Sequence, residues 1–133
     1  MFDTSHPNFL RRVLWADAIA SGASGLVMAA GAGVLESFLG LPGDLTRASG
    51  LILLPYAAIV AVVAARAPIS RAAVWTIIVA NAAWAVASIG LLVGGLAPTA
   101  FGYAFVIAQA LVVAVLAELQ YAGVRSFTPA RAA

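Results

Sequence analysis

Residues 45–93 read LTRASGLILLPYAAIVAVVAARAPISRAAVWTIIVANAAWAVASIGLLV, and this stretch decides the fold. Its only charged side chains are Arg47, Arg66 and Arg71. An uncharged run lies on each side of the RAPISR break. Each run can form a rod of about 20 residues, which crosses ~30 Å of hydrocarbon at ~1.5 Å per residue. Pro68 stops the first run, and Ser70 is a helix-capping type that opens the second. Neither run alternates polar and apolar faces as a soluble surface helix would.

The same pattern continues outward. Upstream, an apolar segment runs from about Phe9, after the capping type Asn8, to Phe38, where Gly40-Leu41-Pro42-Gly43 stops it. Downstream, Gly94-Gly95 and Pro98 form a turn, and a last segment runs from Thr99 to Val124. The sequence therefore predicts an all-α membrane protein, a four-transmembrane-helix bundle of two hairpins. Its helices fall at about 9–38, 45–65, 70–93 and 99–124, in a single membrane domain spanning 1–133. The first is longer than the hydrocarbon is thick, so tilt or an interfacial first turn is expected. Pro55 should kink the second. Arg11-Arg12, the apolar run and Ala30-Gly31-Ala32 imitate a secretory signal, but Asp17 interrupts that run, which is read as a retained helix.

Composition agrees. The chain is 64% hydrophobic and 9% charged, where a soluble domain carries about 25% charged residues. It lacks the polar surface to face water, so its principal partner is the lipid bilayer. Seven arginines scattered between apolar runs give no cluster for nucleic acid. The absence of cysteine removes disulfides, thiolate metal sites and thiol catalysis.

The arginines also orient the bundle. Arg11 and Arg12 precede the first helix, Arg66 and Arg71 bracket the central turn, and Arg125 and Arg131 follow the last helix. The other side carries Arg47 with Glu36 and Asp44. By the positive-inside rule both short termini are cytoplasmic, in a bacterial-type inner membrane. Trp15, Trp75 and Tyr121 near one level, with Phe38, Phe101 and Tyr103 near the other, suit headgroup belts.

Hydrocarbon gives helices no hydrophobic reason to associate, so small residues must allow close packing. Gly25, Ala29 and Gly33 form the strongest such series, because glycine is costly in a helix without a packing reason.

Polar groups within the spans are costly and therefore informative. Asp17, Ser21, Ser24 and Met28 share one helical face. Asp17 and Glu118 lie at similar depth near the Arg-bearing end and are expected to approach one another. They would serve as coupling or gating carboxylates, or else pair with Arg12, Arg71 or Arg125 or with a helix N-terminal amide. Asn81 and Gln109 are expected to bond to each other. Ser21, Ser24, Tyr56, Asn81, Trp84 and Gln109 are the candidate cavity-lining residues. No catalytic residue, cofactor or metal ligand is assigned. His6 is the lone histidine and lies outside the apolar spans, so one chain cannot supply a bis-His haem site, and no Ser-His-Asp triad is expected inside the bilayer. The leading expectation is a non-catalytic helix bundle, a homo-oligomer or accessory subunit of a membrane complex, able to hold a lipophilic small molecule. The alternative is a small transporter or channel using Asp17 and Glu118.

Overall fold

The computed structural model describes residues 8–95 and 98–126; His6, Leu96, Ala97 and Arg131 lie outside the described residues. The described residues form five helices and no strand: α1 Phe9–Ala30, α2 Ala32–Leu39, α3 Gly43–Ala65, α4 Arg71–Val93 and α5 Ala100–Ser126. Of these, α1, α3, α4 and α5 are long and apolar enough to cross a membrane. Their outward surface is hydrocarbon, with Ile19 68% and Val86 73% exposed. Water would penalise such a surface; lipid does not. The chain is a multi-pass, all-helical membrane protein.

The long first segment is not one rod. It breaks at Gly31, which ends α1 and begins α2. An unbroken helix over 9–38 would be ~45 Å long, well beyond the ~30 Å hydrocarbon. At the break the Gly31 N–H still bonds Val27 O (2.8 Å) and the Leu35 N–H bonds Gly31 O (2.9 Å), so both backbone groups of Gly31 are paired. The short α2 turns toward α3 and α5. By contrast, α3 runs through the exposed Pro55 as a single helix.

Helix α1 packs chiefly on α3, and α4 chiefly on α5, while contacts between the two pairs are sparser. The α1–α3 crossing rests on glycine. A Cβ on Gly50 would stand 2.6 Å from the Ala29 nitrogen and 2.8 Å from the Gly25 carbonyl. Gly25 faces the same crossing, meeting Gly50, Leu53 and Leu54. Gly33, the third member of the expected series, has nothing within 4 Å of where its Cβ would lie and packs against no neighbour. Its neighbour Ala32 is the buried residue at that level.

An apolar core closes each end. At the Arg-bearing end Leu10, Leu14, Val60, Val63, Val74, Ile77 and Val124 pack together. Arg11 donates to the carbonyls of Ala64 and Arg66 at the end of α3, and Arg71 donates to Val124 O near the end of α5 (2.7 Å). These guanidiniums satisfy carbonyls that a helix terminus leaves bare. At the opposite end Leu39, Leu41 and Val106 form a smaller core. There Thr99 reaches back to α2, its N–H to Leu39 O (3.0 Å) and its hydroxyl to Phe38 O (3.0 Å). The Thr99 hydroxyl also accepts from the Gly102 N–H (3.1 Å), capping α5.

Two glycine substitutions separate packing from propensity. Gly50→Ala forces backbone against backbone and is expected to lower unfolding stability in detergent by about 1–3 kcal/mol. Gly33→Ala, with open space around it, is expected to be neutral or stabilising by up to about 1 kcal/mol. Thermal unfolding of both variants in one detergent checks the contrast.

Candidate functional site

Between the two end cores lies a polar layer contributed by all four spanning helices. Asp17 of α1 is 1% exposed, at its centre. Four groups donate to its carboxylate. The Ser21 hydroxyl, one turn along α1, donates to Oδ1 (3.0 Å). The Tyr56 hydroxyl from α3 (2.8 Å), the Asn81 Nδ2 amide from α4 (2.9 Å) and the Gln120 Nε2 amide from α5 (2.7 Å) donate to Oδ2. Asn81 Nδ2 also donates to Gln120 Oε1 (2.9 Å). The single hydroxyl hydrogen of Tyr56 lies between two acceptors, Asp17 Oδ2 and Asn81 Oδ1 (2.9 Å). Among the described residues no buried side-chain nitrogen or oxygen lacks a partner.

All four donors to Asp17 are neutral. Arg11 and Arg71 at that end are engaged on carbonyls, Arg125 lies 5.4 Å from the centre of the Tyr121 ring, which itself meets Trp75 edge-on, and Arg12 is exposed. The expected Arg–Asp17 pairing is not formed. Nor does Glu118 approach Asp17. It is exposed, whereas Gln120, two residues on, is fully buried against the carboxylate. Residues two apart on a helix face nearly opposite ways, so α5 can aim only one of them inward.

The expected Asn81–Gln109 bond is also absent, because the two amides belong to different layers. Gln109 Oε1 accepts from the Trp84 indole N–H (2.9 Å), and Gln109 Nε2 donates to the Ser88 hydroxyl (2.9 Å). Ser88 in turn donates to Trp84 O (2.8 Å). Along α4 from Asn81, toward the opposite end of the bundle, Trp84 lies just under one turn away and Ser88 about two.

A cleft of about 280 Å³ separates the two polar layers, between the α1–α3 pair and the α4–α5 pair. Ser21, Ser24, Tyr56, Asn81, Trp84 and Gln109 all border it. The rest of its wall is hydrocarbon, including Met28, Leu53, Phe105 and Leu116. Ile52 and Val112 also line it and are 59% and 53% exposed, so its mouth lies on the lipid-facing surface. A smaller cavity of about 60 Å³ shares Met28, Trp84, Phe105 and Gln109 with it and extends toward Leu41 and Thr46. The Trp84–Gln109 bond thus stands between two chambers. Among the described residues no group of three His, Asp or Glu side chains could hold a metal.

Gln120 is the member of the site that sequence reading missed. Its signal was spacing: Gln109 and Gln120 are eleven apart, about three helical turns, and so share a face of α5.

No family model matches the chain, and no curated protein or solved structure matches it either.

The opposed facing of Glu118 and Gln120 is directly measurable. Gln120→Leu leaves the carboxylate short of a donor and is expected to cost about 1–3 kcal/mol. Glu118→Gln alters only an exposed group and is expected to stay within about 0.5 kcal/mol. Equal losses in the two unfolding curves would contradict the arrangement.

Proposed function

We propose that this chain is a small, non-catalytic inner-membrane protein that holds a small lipophilic molecule in the cleft between its two helix pairs. The observation that carries this reading is the cleft itself, in the depth of four spanning helices. It is about 280 Å³ in volume, hydrocarbon on most of its wall, bordered by six polar side chains and open toward lipid. Ligand sites commonly combine an apolar wall with a few convergent polar groups, in volumes of ~300–1,000 Å³.

Two other roles draw less support. Assembly as a homo-oligomer or accessory subunit would use the Gly25 and Ala29 stripe, but α3 of the same chain already covers it. A transporter using two carboxylates needs both on one path, and Glu118 is exposed, on the opposite side of α5 from Gln120. In the proposed topology the chain forms two hairpins with both termini in the cytoplasm, because the arginines gather at one end.

Native mass spectrometry from mild detergent tests the role. A reproducible adduct of a few hundred daltons on the intact chain is expected, reduced in Ser24→Leu, which fills the cleft wall. Bare chain in every preparation would count against it. The topology is tested with single cysteines, since the natural chain has none. Asp44→Cys is expected to react with an impermeant reagent applied to whole cells, and Ala67→Cys only after lysis.

A further inference from the structure

The two ends of the cleft differ in charge, and the difference selects a ligand. Ser21, Tyr56 and Asn81 form its wall toward the Arg-bearing end, and each is hydrogen-bonded on its far side to Asp17. The carboxylate is therefore one side chain behind the wall. Its four donors are neutral, and no described cation pairs with it. Such an array of donors is the kind that stabilises negative charge on oxygen. The other end, with Trp84, Ser88 and Gln109, is polar but uncharged.

We infer that the cleft takes a small amphiphile with a positively charged head, a quaternary or protonated amine, seated against Ser21, Tyr56 and Asn81 with its apolar body toward Phe105. This rests on the ligand-holding reading above and adds the charge and orientation of the ligand. A head at the wall lies about two hydrogen-bond lengths, roughly 6 Å, from the carboxylate. At an effective dielectric of ~20, attraction over that distance is worth about tenfold to hundredfold in affinity. A carboxylate, sulfonate or phosphate head would meet the same field with the opposite sign. The volume of about 280 Å³ limits the body to one or two rings or a short chain. Entry past the exposed Ile52 and Val112 lets the apolar body arrive through the hydrocarbon while the head finds its compensation inside.

The test uses the full chain in phosphatidylcholine nanodiscs and three probes of one shape. These are phenethyltrimethylammonium, its uncharged carbon isostere with a tert-butyl head, and a phenylalkyl sulfonate of equal length. Equilibrium dialysis against empty nanodiscs removes the contribution of the bilayer. The cation is expected to bind about tenfold or more tightly than the isostere, and the sulfonate most weakly. Asp17→Asn is expected to abolish the preference for the cation while the isostere still binds. Ser24→Leu, outside the carboxylate cage, is expected to weaken both. Should the isostere match the cation in the natural chain, or the sulfonate match either, the charge inference is overturned. The cleft reading then survives provided Ser24→Leu still reduces binding. If no probe binds, or Ser24→Leu changes nothing, the ligand-holding reading falls and takes this inference with it. The three-probe order in the natural chain decides the matter even where Asp17→Asn does not fold.

Discussion

A carboxylate buried among four apolar helices without a counter-ion must be surrounded by donors, and this requirement organises the centre of the molecule. Moving an ion out of water costs several kcal/mol even after relaxation. Hydrogen bonds to a charged group return about 1.5–3 kcal/mol each. One or two donors would not offset that cost. Asp17 has four, one each from α1, α3, α4 and α5. Because the donors come from every spanning helix, the carboxylate fixes the rotation of each about its own axis. Hydrocarbon packing alone could not do so, since lipid and core side chains are equally apolar and a rotated helix loses little.

The close approach at the α1–α3 crossing serves the same end. Gly25 and Gly50 bring the two backbones together, and Tyr56 thereby stands in reach of Asp17. The α4–α5 pair is a second unit, aligned internally by Gln109 against Trp84 and Ser88. The two units meet at the Asp17 layer and at the apolar ends, and the cleft is the space left between these meeting points. Its wall is polar where the two layers face it and hydrocarbon elsewhere. The cleft and the polar network thus arise from one arrangement: two tight pairs joined loosely, with a charged layer at one level of the junction.

The arginines divide a different task between them. Arg11 and Arg71 hold carbonyls near the ends of α3 and α5, and Arg125 lies against Tyr121 beside Trp75. This leaves Asp17 to neutral partners. Positive charge at the membrane boundary and the carboxylate about one and a half turns inside it are not paired.

Sequence alone determined the helical class and the four segments long and apolar enough to span. Those follow from run length, from proline and glycine punctuation and from a rise of ~1.5 Å per residue. It also placed Ser21, Ser24, Tyr56, Asn81, Trp84 and Gln109 as residues with reason to face inward, because lipid penalises a polar side chain that does not. The level at which two helices meet, and which side chains face each other there, is a property of several helices, and only the tertiary structure decided it. Asn81 joined Asp17 rather than Gln109, Gln120 took the place expected of Glu118, and Gly31 broke a segment that reads as continuous. The first two depend on the level and rotation at which separate helices meet around one carboxylate, and the third on the backbone at one glycine; none of these leaves a period in the sequence.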